Sequence, residues 1–174
     1  MVITEVENTL LGAESGAQFS PDRLYRYVLW RTWNESTLPL IFLMLNPSTA
    51  DARHNDPTVE RCEQRARRWG AGGLVVVNLF AYRSTDPDEL MKVADPVGPE
   101  NDQAILAAAY SGGCELIAGW GNVGKLGGRA DAVVRLLRRA HVRIHALAVN
   151  QDGSPKHPLY VHYDVRPTLL AQSG

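Results

Sequence analysis

Continuous apolar runs that recur between stretches of helical spacing constrain this chain more than any other feature. "LPLIFLML" (38–45), "GLVVVNLF" (73–80), "CELIAGW" (114–120) and "VRIHALAV" (142–149) each have the length and composition of a buried strand. Between them, "DPTVERCEQRARRWG" (56–70) carries Val59, Cys62, Ala66 and Trp69 at helical spacing, with Pro57 suited to a first turn and Gly70 to a stop. "GPENDQAILAAAYSGG" (98–113) and "GGRADAVVRLLRRAH" (127–141) read as two further helices, and "PDELMKV" as a short one. "LYRYVLWRTW" (24–33) is a strand by its aromatic and β-branched content, and the tail from His157 onward has no clear pattern. Strands alternating with helices imply right-handed crossovers, so the expected fold is a three-layer α/β/α domain with a central, mostly parallel sheet, one domain over residues 1–174.

Composition narrows the functional classes. No apolar run approaches the roughly 18 residues a membrane helix needs, and "MVITEVENTL" lacks the basic and greasy regions of a secretory leader, so a cytoplasmic protein that avoids membranes is expected. Cys62 and Cys114 are the chain's two cysteines, too few for a disulfide framework or a four-cysteine metal site, and both are expected to be buried thiols. His54, His141, His145 and His162 show no metal-ligand spacing with acidic neighbours, so no metal is expected. A formal net charge of −1 means that any polyanion would be held by a local patch.

In parallel sheets ligands bind beyond the carboxyl ends of the strands, and here those ends are dense in polar residues. Asn46 follows the strand 38–45, with Asp51 five residues on; either can orient a water, while Asp51, Asn55 and Asp56 also suit turns, and Asp56 a helix cap before Pro57. Asn78 ends its strand, and its amide, both donor and acceptor, can read the edge of a base or can tie down the following turn. Arg83 and Ser84 come next, placed for an anion or for solvent. "GWGNVGK" (119–125) spells two glycine-rich phosphate patterns. Leu126 stands where a magnesium-binding hydroxyl would be, and "VRIHALAV" ends without a ribose-binding acid, so tight packing competes with phosphate contact by Lys125. Pro155 and Pro158 stiffen the loop that carries His157, and Arg61, Arg65, Arg67 and Arg68 give one helix a basic face for solvent or for phosphates.

Taken in order, "MLNPSTAD", "NDPTVERC", "NLFAYRSTDP", "PVGPEND" and "KHPLY" resemble the family called domain of unknown function 1643, over about residues 20 to 165. More distantly, "MLNPS", the Asn of "VVVN", "LIAGWG" and "KHP" resemble the uracil-DNA glycosylase superfamily, although Leu45 and Ser48 flank the Asn-Pro where that superfamily has glycines. That resemblance implies the same three-layer fold and hydrolysis of the N-glycosidic bond of a deaminated or modified base. It implies Asn46 as the residue that positions water, helped by Asp51, and Asn78 as the reader of the base, which stacks on Phe80 or Tyr82. His157 would steady the leaving base, and Arg61, Arg65, Arg68 or Lys125 would meet phosphates. No cofactor is implied. The partner would be nucleic acid, DNA ahead of RNA, or a small molecule containing a nucleobase. The competing expectations are a base- or nucleotide-binding protein without catalysis and a hydrolase of free nucleosides or nucleotides.

Overall fold

A computed structural model describes residues 1–8 and 13–170 of the chain. Eleven strands and α-helices follow one another as β1 (Ile3–Asn8), β2 (Glu14–Phe19), β3 (Arg26–Thr32), β4 (Pro39–Met44), α1 (Pro57–Arg68), β5 (Gly73–Asn78), α2 (Asn101–Ser111), β6 (Glu115–Ala118), α3 (Arg129–Arg139), β7 (Arg143–Ala146) and β8 (Thr168–Leu169). Short 3₁₀ turns cover Pro87–Met91, Asn122–Gly128 and Pro158–Tyr160. All the strands join one sheet in the order β1-β2-β3-β5-β4-β6-β7-β8.

The sheet is mixed rather than mostly parallel. β5, β4, β6 and β7 form a parallel centre, but the other four of the seven pairings are antiparallel. The reason lies in a connection. Only residues 33–38 separate β3 from β4, and a parallel crossover needs about a dozen residues or more. β3 therefore runs against its neighbour β5, with Leu29 opposite Val76, and continues outward into the β1–β2 hairpin. That hairpin shows no strand signature in the sequence. β1 is largely exposed, and β2 carries Gly16 because the Trp30 ring lies over it, 2.1 Å from where a Cβ would stand.

Order and handedness together set the helices. From β4 the chain steps to β5 on one side and then returns to add β6 and β7 on the other. Right-handed crossovers in opposite directions deliver helices to opposite faces. Val59, Cys62 and Ala66 of α1 accordingly pack with Phe42, Met44 and Val76, while Ile105 of α2 and Val133 and Leu137 of α3 pack with Ile41, Leu43 and Val77. Alternation along β4 thus feeds two apolar clusters. Cys62 is buried in the first of these, whereas Cys114 is half-buried in the turn before β6, at a left-handed φ of 62°. Among the described residues no helix is long and apolar enough to cross a membrane.

Candidate functional site

The reversal between β4 and β6 leaves a crevice at the carboxyl ends of the central strands, the place where open α/β sheets take ligands. The loops leaving β4 and β5 are zipped together by backbone bonds, Leu79 N–H to Met44 O and Phe80 N–H to Leu45 O at 2.9 Å, and Ser84 N–H to Pro47 O at 3.0 Å. Between them and the segment carrying His157 lies a cavity of about 200 Å³. Asn46, Asn78 and His157, from three separate stretches of sequence, all line it. Arg26, Asp56 and Trp120 complete its polar and aromatic wall. The volume falls below the roughly 300–1,000 Å³ of drug-sized sites, so it suits one planar ring rather than a whole nucleotide.

Each polar group is held in a defined state. The Asn46 amide donates through Nδ2 to the carbonyls of Ser84 at 2.9 Å and Pro47 at 3.2 Å. Both of its hydrogens are thereby committed, and among the described residues no donor reaches Oδ1, which is left as an acceptor. Asn78 is 1% exposed, and its Nδ2 is buried with no acceptor among the described residues. An unmet buried donor is expensive, on the order of 1–3 kcal/mol, and few buried polar groups are left so.

His157 accepts the Leu159 N–H at Nδ1, 3.3 Å away, so the neutral ring carries its proton on Nε2. Burial pushes its pKa down from the ordinary histidine value, opposed by the Asp56 carboxylate. Pro158, next in sequence, sits against Gly119 so closely that a Cβ there would lie 2.9 Å from Pro158 Cδ. One glycine of "GWG" therefore seats the His-Pro segment on the end of β6.

Asp56 caps α1 by accepting the Val59 N–H at 2.8 Å, and the same carboxyl borders the cavity. Arg26 is 2% exposed; its Nη1 donates to Ala50 O at 2.6 Å and its Nε has no acceptor. Burial lowers the Arg26 pKa to about 10, with Asp56 acting against the shift. The lining residues thus bring donors on Asn78, Arg26 and His157 together with acceptors on Asn46 and Asp56, the Asn78 Nδ2 and Arg26 Nε lying closed off from solvent behind the wall. Such a set matches a small ring bearing both carbonyl and N–H groups.

A family model described as Protein of unknown function (DUF1643) matches residues 26–159. The chain belongs to the DUF1643 family. The DUF1643 match starts at Arg26 and runs past His157, so it spans all six cavity residues named above, while β1 and β2 lie outside it. No curated protein and no solved structure matches the chain.

Other residues singled out within the DUF1643 sequence stand elsewhere. Asp51 is a turn residue that does not border the cavity. Burial works against its ionised form, but the N–H groups of Arg53 and His54, both at 2.8 Å, and the His54 ring outweigh it and hold the carboxyl below its ordinary pKa. Phe80 is 2% exposed in the core cluster beneath α2, and Tyr82 packs edge-on against Tyr25; neither borders the cavity. Trp120 is the aromatic that does. Its position in "GWGNVGK" drew attention to glycine spacing rather than to the indole.

The basic helix face is also occupied from within. Arg61 donates to Val161 O at 2.7 Å and lies 3.7 Å over the Tyr163 ring. Arg65 is fully buried, bonded to the carbonyls of Val161 and Tyr163, and Arg68 lies 4.0 Å over the same ring. These arginines clamp the tail. Lys125 pairs with Asp152 at 2.9 Å, closing the glycine turn onto the next loop, and Gly124 packs under the Trp120 indole. The sequence does not mark Arg26 or Asp56 as cavity residues, for a common reason. One lies within a strand and the other has an evident job as a cap, and nothing local reveals that both face the same space.

Proposed function

We propose that the protein is a DNA glycosylase-like hydrolase that cleaves the N-glycosidic bond of a deaminated or modified base, with the three-layer arrangement of the uracil-DNA glycosylase superfamily. The observation that carries this reading is the meeting of Asn46, Asn78 and His157 in one base-sized cavity, with the Asn78 Nδ2 buried and unmet. The division of the helices between the two sheet faces and the parallel strands at the centre support the fold part of it.

In this mechanism the base leaves its stack and enters the cavity beside Trp120, its edge read by the Asn78 amide. The free Oδ1 of Asn46 accepts a hydrogen bond from a water and aims its oxygen at the sugar C1′. Asp56 is the carboxylate that takes up the proton as the carbon–oxygen bond forms. The electron pair of the breaking bond leaves with the base, and the Nε2–H of neutral His157 donates to its carbonyl to stabilise the anion. None of these steps needs a metal or redox cofactor.

Single- and double-stranded oligonucleotides carrying uracil, hypoxanthine, xanthine or hydroxymethyluracil test the reading, with alkali used to cleave any abasic sites formed. Strand scission on at least one of them is expected. Intact strands on all four would remove the hydrolase, and base binding without scission would leave a binding protein in its place.

A further inference from the structure

Beside the cavity, and sharing Ser48, Ser84 and Thr85 with it, runs an open groove of about 470 Å³. Two arginines from distant parts of the chain are held together there. Arg23 sits at a left-handed φ of 60° in the turn between β2 and β3, closed by its own N–H to Ser20 O at 2.9 Å. Arg83, in the loop after β5, is tied to that turn by its N–H to Leu24 O at 2.9 Å and by Nη1 to Arg23 O at 3.3 Å. Both guanidiniums lie against the Phe19 ring, 4.3 Å and 5.2 Å from its centre.

Like charges fixed on one platform repel, and Glu5 offsets that repulsion only in part, since burial and Arg23 together still hold the Arg83 pKa down. Arg23 pairs with Glu5, but Arg83 has no carboxylate partner among the described residues, and its Nε is buried without an acceptor. The groove also holds the Glu89 carboxylate, which accepts from the Ser84 hydroxyl at 2.7 Å. The hydroxyls of Ser48, Thr49 and Thr85 make no hydrogen bond among the described residues. One unpaired guanidinium, a second shared with Glu5, and three free hydroxyl donors match the several acceptor oxygens of a phosphate better than any neutral group.

We propose that this groove binds the phosphodiester beside the nucleotide whose base enters the cavity, so that the ligand is a strand rather than a free base or nucleoside. The proposal rests on the base-binding reading above and moves the phosphate contacts from the helix face, whose arginines hold the tail, to Arg23 and Arg83.

The test is the affinity of a fluorescein-labelled single strand with one central deoxyuridine, measured across a salt series. Each lost phosphate contact should lower the slope of log affinity against log salt by about 0.7. Arg83→Gln and Arg23→Asn, the latter suited to a left-handed backbone, are each expected to weaken binding about tenfold at low salt and to reduce the slope by that amount. Arg83→Lys should restore the slope, and Arg67→Gln, on the helix face and paired with Glu63, should keep it. Unchanged slopes in both arginine variants, or no affinity of the wild-type protein for the strand, would overturn the groove. A strand that binds through the arginines but is never cut would sink the hydrolase and leave the groove standing; cutting that ignores both arginines would do the reverse.

Discussion

A buried amide that satisfies no partner is a stability liability, and Asn78 carries one at the end of a core strand. Replacing it with leucine, which has the same branching and number of side-chain heavy atoms, removes a desolvated donor. Asn78→Leu is therefore expected to hold or raise the urea midpoint, by up to about 1 kcal/mol in stability, while abolishing base release. A matching loss of stability would mean that the amide is structural. His157 makes a second residue-scale prediction. Its folded pKa is depressed, so the unfolded chain binds the proton more readily, and stability falls as pH drops through the ordinary histidine range near about 6.5. Urea midpoints should decline from pH 7.5 toward pH 5, and His157→Gln should flatten that decline. Activity should fall at lower pH than the onset of that decline, through the depressed folded pKa, because only the ring with Nδ1 as acceptor and Nε2 as donor keeps the geometry described.

At the scale of elements, two packing contacts govern the site. Gly119→Ala puts a methyl 2.9 Å from a proline ring and 3.1 Å from the Met44 sulfur, so the His-Pro segment shifts. The expected result is a loss of about 1–3 kcal/mol in stability, with activity reduced well beyond what that loss explains. Arg65 shows the opposite pattern: Arg65→Met leaves the Tyr163 carbonyl without its donor and the Val161 carbonyl with Arg61 alone, and should destabilise by about 1.5–3 kcal/mol, while the salt dependence of strand binding stays as in wild type. Core elements such as β4, β5 and α1 were legible because each buries a periodic apolar face. The Asp56 cap was also legible, since an Asp-Pro before a helical pattern has one local use. β1 and β2 were not, because their order comes from pairing with β3 and from a tryptophan folded over a glycine rather than from composition.

For the whole molecule, the alternation of strands and helices carries the parallel centre of the sheet, and the shortness of the 33–38 connection is what converts its flank to antiparallel. Asn46, Asn78 and His157 could be named from the strand ends. Their neighbours Arg26, Asp56 and Trp120 depend on which strands lie side by side, a long-range property that no local pattern encodes. The same dependence moves the proposed phosphate contacts, since a helix rich in arginine is an anion site only if nothing in the fold has claimed it. The account stands or falls on whether the cavity hydrolyses a base that it holds. Its most direct test is the single-turnover rate of free-base release from a uracil-bearing single strand, measured for wild type, Asn46→Ala and His157→Ala alongside strand affinity. Release by the wild-type protein, slowed about 10² or more in each variant with affinity retained, is the predicted result; release at an unchanged rate in both variants, or none from the wild type, would contradict it.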